Sequence, residues 1–178
     1  VVLAGFALAV PASAGAQGEA PDAPNPAFAD SPADSLPPGS GASRWGEIPP
    51  PAEALMQAFW PGRLTLVFKA RQTLPHQLTA RSDKIGVRLA GHPVAFALAQ
   101  QVGRAITGTS ANLSGRPGCH RVADMDPQII VAASQTLDAG ALKGGAGSTV
   151  VDVTESPPRI LREGQVSSRQ IHRALNSE

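Results

Sequence analysis

Short β-rich runs alternate with helical patterns from residue 51 onwards, and this alternation constrains the fold more than any other feature of the chain. Five runs of β-branched and apolar residues lie between turn formers and predict strands. They are 64–70, 84–90, 105–107, 148–154 and 158–163. Helical spacing of apolar residues predicts four helices. They are 51–60, 93–102, 126–139 and a C-terminal helix with Ser167 as its N-cap. The alternation predicts an α/β domain.

Residues 1–50 have a different texture. They hold nine of the 17 prolines and show no apolar periodicity, so we expect no ordered core there. Residues 1–16 are apolar and end in an A-x-A pattern, as in a secretory signal, but neither an initiator Met nor a basic n-region precedes them. A signal with a linker, a natural disordered leader and an aberrant start all remain open, and we favour the third. The predicted division is a low-complexity leader over 1–50 and a folded body over 51–178.

Charge and cysteine content restrict the function without fixing it. Residues 1–50 carry one Arg and five acidic residues, whereas 51–178 carry 14 basic and nine acidic residues. A modestly basic body suits an anionic substrate as well as it suits a tRNA surface. Cys119 is the single cysteine, so an internal disulfide is excluded. His120 beside it cannot complete a metal site, because such sites need three or four ligands.

Several common catalytic motifs are absent. The stretch 140–149 resembles a phosphate-binding loop, but Lys143 precedes the second glycine pair instead of adjoining the Ser-Thr. No strand is followed by G-x-G-x-x-G, and neither H-E-x-x-H nor G-x-S-x-G occurs. These spacings argue against a P-loop, a dinucleotide fold, a zinc protease and a serine hydrolase.

The segment 105–118, AITGTSANLSGRPG, favours a different kind of anion site. Ser110, Asn112 and Ser114 alternate, so an extended backbone would direct all three side chains the same way. Gly108 and Gly115 would let the backbone approach a ligand closely. Hydroxyls, an amide and free N–H groups form a neutral cradle for phosphate oxygens.

Three strand-borne cations, Lys84, Arg88 and Arg162, could supply the positive charge of such a site. The guanidinium fork of Arg matches a carboxylate or a phosphate. An ordinary polar turn with solvated cations remains the alternative interpretation of the same residues.

The chain resembles the YrdC-like domain of threonylcarbamoyl-AMP synthases. The resemblance rests on four segments in order, FWPGRLTLVFKA, KIGVRLAGHP, TGTSANLSGRP and GSTVVDVTESPPRILREGQVS, and covers residues 52–171. It implies a twisted, open, mixed α/β sheet with a large basic cavity. It also implies a nucleotidyltransferase that makes threonylcarbamoyl-AMP and pyrophosphate from L-threonine, bicarbonate and ATP.

The resemblance assigns roles to two groups of residues. The positions implied to bind ATP are Lys84, Ser110, Asn112, Gly118 and Arg162. The positions implied to bind threonine are Arg88, Gly108 and Ser148. No protein nucleophile is required, so positioning and charge neutralisation would supply most of the rate. A Mg²⁺ ion would be held largely by phosphate oxygens and water. The product would serve tRNA modification, and we expect a cytoplasmic enzyme without a membrane segment.

One departure from the family pattern concerns residues 1–50. The family opens with P-T-E-T-x-Y-G-L and a later K-x-R-P, and neither occurs there. We therefore expect a truncated or frame-shifted start and an incomplete site. Two other functions remain open: an RNA-binding module without catalysis, and a carbamoyl-transfer domain like that of hydrogenase maturation, although the zinc-finger cysteine pairs of the latter are absent.

Overall fold

The computed structural model describes residues 28–30, 48–74, 79, 82–102, 105–108, 111–113, 115–138, 140–142 and 145–176. Strands and helices alternate along this part of the chain. In chain order they are β1 (Phe28–Asp30), α1 (Pro50–Phe59), β2 (Leu64–Lys69), β3 (Lys84–Arg88), α2 (Pro93–Val102), β4 (Ile106–Gly108), α3 (Pro127–Ala132), β5 (Thr149–Asp152), β6 (Arg159–Arg162) and α4 (Ser168–Leu175).

The strands of the described residues form one mixed sheet in the order β4-β1-β3-β2-β5-β6. The central strand β2 runs antiparallel to β3 and parallel to β5. At the margins, β6 is antiparallel to β5 and β4 is antiparallel to β1. The predicted α/β class and the open mixed sheet are confirmed, whereas the large basic cavity stays a prediction.

One face of the sheet is apolar and forms the core. Leu66 of β2 lies opposite Val87 of β3 and Val151 of β5, so the three side chains share this face. Helices α1 and α4 cover it, and Leu55 and Ile171 are almost completely buried there. Each such side chain contributes roughly 1.5–3 kcal/mol of burial free energy.

The opposite face carries polar side chains, because successive residues of a strand point to opposite sides. Thr65 of β2, Arg88 of β3, and Val150 and Asp152 of β5 occupy this face. Since α1 and α4 lie on the other side, this polar face is where the sheet can present functional groups.

The element predictions hold for most of the body, with two differences. The helix expected over 126–139 ends at Ala132, after Asp126 caps its first turn by accepting from the Gln128 N–H. Residues 134–138 are exposed and have no apolar face to bury, so nothing outside the helix stabilises its continuation. The second difference is β1, which lies within the stretch 1–50; the division at residue 50 stays a prediction.

The C-terminal helix begins as expected. Ser167 accepts a hydrogen bond from the Gln170 N–H, and the Gln170 side chain accepts from the Ser167 N–H, which completes a capping box. No helix of the described residues is long and apolar enough to cross a membrane.

Candidate functional site

The candidate site is a row of side chains that crosses the polar face from β6 to β3. Arg162 lies opposite Val150, and Val150 lies opposite Thr65. Arg88 follows Val87, the partner of Leu66, so the alternation of the strand puts Arg88 on the same face as Thr65. Arg162, Val150 and Thr65 thus form a row across three neighbouring strands, and Arg88 lies on the same face of the next strand.

Ser148 joins this row from the start of β5. Its hydroxyl accepts a hydrogen bond from the Thr65 Oγ1 hydroxyl at 2.9 Å, and both residues are buried. The Arg162 guanidinium donates to the Ser148 carbonyl at 2.9 Å and approaches its Oγ at 3.4 Å. Of the predicted site residues, Ser148 and Arg162 are thus in contact, and Arg88 lies on the same face of the sheet.

A β-bulge directs Arg162 towards this row. Ile160 lies opposite Val151, yet Arg162 lies opposite Val150, so Leu161 is an extra residue on the β6 side of the ladder. Regular pairing would place Arg162 opposite Thr149, on the apolar face. The bulge shifts the alternation by one residue and places Arg162 on the face that carries Ser148.

The loop after β6 packs tightly against the start of β5. The Thr149 hydroxyl accepts from the N–H groups of Gly164 and Val166 and donates to the Val166 carbonyl. A Cβ atom at Gly164 would lie 2.2 Å from the Gly147 carbonyl oxygen and 2.6 Å from the Ser148 carbonyl carbon. Only glycine therefore fits here, and its fit fixes the backbone that carries Ser148.

Lys84 lies at the other end of the polar face, four residues and roughly 13 Å along β3 from Arg88. Its Nζ is 2.8 Å from Oδ2 of Asp152, whose side chain is only 2% exposed. The Glu155 carboxylate lies 3.8 Å from the same ammonium. The hydrogen bond to Asp152 is the main reason that the pKa of Lys84 is raised above 10.5. The structure thus separates Lys84 from the row, and its predicted role in nucleotide binding stays a prediction.

Asp152 completes this ion pair with two further contacts. Its Oδ1 accepts from the Thr154 N–H at 2.9 Å and from the Thr154 hydroxyl at 2.6 Å. Burial raises the pKa of the carboxyl, but the hydrogen bonds from Lys84 and Thr154 outweigh this effect, so the pKa of Asp152 is lowered below 3.8. The carboxylate is ionised and satisfied at neutral pH.

Asn112 organises the loop after β4. Its Nδ2 donates to the carbonyls of Leu113 at 2.9 Å and Arg116 at 2.7 Å, and these two acceptors fix the orientation of the amide. The opposite atom, Oδ1, is the one buried side-chain nitrogen or oxygen among the described residues that lacks a hydrogen-bond partner. The backbone bends at Ala111 and Asn112, so this residue does not lie on the extended segment that the alternation predicted.

The remaining predicted positions have simpler surroundings. Gly108 is buried at the end of β4, and Gly118 is exposed, with no heavy atom within 4 Å of where a Cβ would stand. Ser110 and Ser114 lie outside the described residues. Among the described residues, no group of three or more His, Cys, Asp or Glu side chains is placed to hold a metal ion.

Sequence reasoning missed Thr65 and the partner of Lys84. Thr65 stands in LTLVF, where a threonine is as typical of strand propensity as of function. Asp152 is 68 residues from Lys84, and the pairing of β2 with both β3 and β5 is what joins them. A strand alternation count would have placed Thr65 on the same face as Lys69, but nothing local identifies its bond to Ser148.

These features define a class of protein: an open mixed α/β sheet with one apolar face covered by helices and one face that carries hydroxyl and guanidinium groups. Residues 40–164 match the family model of Sua5, YciO and YrdC proteins, which carries the description "Telomere recombination". The chain belongs to this family.

Known relatives agree with this assignment. The chain is 36% identical over 132 residues to threonylcarbamoyl-AMP synthase of Pyrococcus abyssi, covering 72% of the chain and 38% of the relative. It is 34% identical over 135 residues to the Bacillus subtilis protein of the same name, covering 73% and 38%. The chain spans about two fifths of the length of these curated relatives.

A solved structure of the family shows the same fold. The crystal structure of the Pyrococcus abyssi Sua5 protein complexed with L-threonine superposes with a TM-score of 0.73 at 32% identity. The match covers 85% of this chain and 44% of that protein. The recognised family and the sheet architecture are therefore confirmed together.

Proposed function

We propose that this chain carries part of the site of an L-threonylcarbamoyladenylate synthase. The observation that carries the proposal is the contact of Arg162 with Ser148 on the face of the sheet that also carries Arg88. Membership of the family and the threonine complex of the Pyrococcus abyssi relative support the same activity.

The proposed roles follow from the chemistry of each group. Arg88 pairs with the carboxylate of L-threonine, with Ser148 as a hydroxyl donor and Gly108 as a nearby backbone contact. A guanidinium and a carboxylate form charge-assisted hydrogen bonds, which are worth roughly 1.5–3 kcal/mol. Arg162, held by the Ser148 carbonyl, is the proposed cation for the nucleotide.

The nucleotide would also contact the loop that contains Asn112. A buried acceptor without a partner costs roughly 1–3 kcal/mol, and an N–H or O–H donor of the ligand would remove that cost at Oδ1. Ser110 and Gly118 belong to the same proposed subsite, and Lys84 would have to leave Asp152 to join it.

The reaction needs positioning and charge neutralisation more than it needs a protein nucleophile. The protonated amine of threonine condenses with bicarbonate to a carbamate, with loss of water and a proton. A carbamate oxygen then attacks the α-phosphorus of ATP and breaks its bond to the α–β bridging oxygen, which releases pyrophosphate. The cations and hydroxyls near Ser148 fit anionic oxygens, so a Mg²⁺ ion would be held by phosphate oxygens and water. The same proposal includes the fate of the product: partner proteins in the cytoplasm use it to modify tRNA.

Calorimetry on the purified 178-residue chain tests the proposal. We expect separate binding of L-threonine and of ATP, and pyrophosphate release that requires threonine and bicarbonate together. The Pyrococcus abyssi relative serves as the positive control. Failure of the chain to bind L-threonine at millimolar concentration would overturn the proposal.

A double substitution tests the nucleotide subsite. Ser110→Ala combined with Asn112→Ala should weaken ATP binding several-fold, because it removes a hydroxyl and a buried acceptor. L-threonine affinity should stay within about twofold, since Arg88 and Ser148 are unchanged. Unchanged ATP affinity would contradict the assignment of these two residues.

A further inference from the structure

The described residues contain one buried hydroxyl pair on the polar face that the proposed roles do not use fully. Thr65 is 0% exposed, and its Oγ1 lies 2.9 Å from Oγ of Ser148. A buried threonine could simply satisfy itself on a backbone carbonyl. This threonine is bonded instead to the side chain of a proposed threonine-binding residue 83 positions away.

Two donors reach the hydroxyl oxygen of Ser148. The Ser148 Oγ atom receives the Thr65 hydroxyl on one side and Nη2 of Arg162 at 3.4 Å on the other. A serine oxygen has two acceptor lone pairs and one O–H. With both lone pairs facing donors, the remaining function of the group is to donate.

A hydroxyl that is held as a donor selects its ligand by charge. It stabilises a carboxylate or phosphate oxygen, and it offers nothing to an ammonium group. Arg88 lies on the same face of the sheet as Thr65 and Ser148, so a ligand that reaches from Ser148 to this guanidinium should be an anion.

We propose that Thr65 is a positioning residue that holds the Ser148 hydroxyl as an obligatory donor to the carboxylate of the amino-acid substrate. This inference depends on the proposed function, because the same donor could serve a phosphate oxygen of ATP. Thr65 itself touches Ser148 and not the ligand.

The test compares substitutions at Thr65 by calorimetry with L-threonine and with ATP as separate probes. Thr65→Val keeps the shape and removes the donor, so L-threonine affinity should fall about fivefold while ATP affinity changes by less than about twofold. Thr65→Ser keeps the hydroxyl and should restore L-threonine affinity to within about twofold of the unmodified chain.

A double-mutant cycle separates positioning from a merely structural role. If Thr65 acts through Ser148, Thr65→Val should cause no further loss of L-threonine affinity in a Ser148→Ala background. Additive losses would overturn the inference, as would a loss that falls on ATP instead. If Thr65→Val does not fold, as judged by its thermal transition, Thr65→Ala compared with Thr65→Ser gives the same comparison.

An unmodified chain that binds no L-threonine would overturn the proposed function and the inference with it. Equal L-threonine affinities for Thr65→Val and the unmodified chain would overturn the inference alone.

Discussion

The two ends of the polar face satisfy their charges in different ways. At the end of β5, Asp152 is neutralised by Lys84, and Glu155 lies beside both Lys84 and Arg159. At the start of β5, Arg162 donates to a carbonyl and a hydroxyl of Ser148, and none of the ion pairs found among the described residues involves it. A closed ion pair stabilises the sheet, while a cation held only by neutral oxygens keeps its attraction for an anion. Along about 13 Å of strand, one face thus changes from closed ion pairs to a guanidinium that is held by neutral oxygens.

The strongest test of this comparison changes the backbone that carries Ser148. Gly164→Ala should destabilise the chain by about 2–4 kcal/mol, because the new methyl group meets the backbone of Gly147 and Ser148 instead of a flexible side chain. Denaturant unfolding measures this loss. Gly118→Ala is the matched control, since its methyl group enters open space, and it should change stability by less than about 0.5 kcal/mol. Equal stability of the two variants would contradict the described packing at Gly164.

The second test separates ligand binding from stability. Arg88→Ala should raise the dissociation constant for L-threonine more than about tenfold, through loss of a charge-assisted pair. Arg159→Ala, at the other end of the face, removes a guanidinium whose side chain is 63% exposed and should leave threonine affinity unchanged. Calorimetry measures the L-threonine affinity of both variants. Similar losses of affinity would mean that the two ends of the polar face do not differ in ligand binding.

The third and smallest effect concerns the ion pair and its dependence on pH. Asp152→Asn should cost about 1 kcal/mol at pH 7, because the amide keeps hydrogen-bonding capacity but loses the charge that Lys84 faces. The pKa of Asp152 is lowered by folding, so its contribution is present above its unfolded pKa of about 4 and is lost as the pH falls through the lowered value.

Unfolding curves at several pH values measure this difference. The gap in unfolding free energy between the unmodified chain and Asp152→Asn should narrow as the pH falls below 3.8 and persist into the alkaline range, since the pKa of Lys84 is raised. L-threonine affinity should be the same for both. A gap that stays constant from pH 7 down through the acid range would show that the charge of Asp152 contributes nothing.

Local patterns predicted the elements that are bounded by strong signals. The Pro61-Gly62 turn closes α1, and Ser167 caps α4, because both signals act within a few residues. The helix after Asp126 was predicted too long, since a good start and a distant glycine do not guarantee a buried face between them. The three-residue strand β1 leaves no periodicity to detect in proline-rich sequence.

The site was predictable in part, because residue types can be read from the sequence whereas contacts between distant strands cannot. Residue type and family resemblance identified Arg88, Ser148 and Arg162, and sheet pairing places these three on one face. The bond from Thr65 to Ser148 and the pair of Lys84 with Asp152 span 83 and 68 residues, so they depend on strand order and register. Neither quantity is encoded in any single segment.

The bulge at Leu161 has a consequence for how this part of the gene can vary in length. Arg162 reaches the face of Ser148 because β6 holds one residue more than its partner strand across that interval. Deleting Leu161 would keep Arg88, Ser148 and Arg162, yet it would turn the guanidinium of Arg162 towards the apolar face of the sheet. In this strand, insertions and deletions of a single codon are therefore more damaging than most exchanges of one side chain for another.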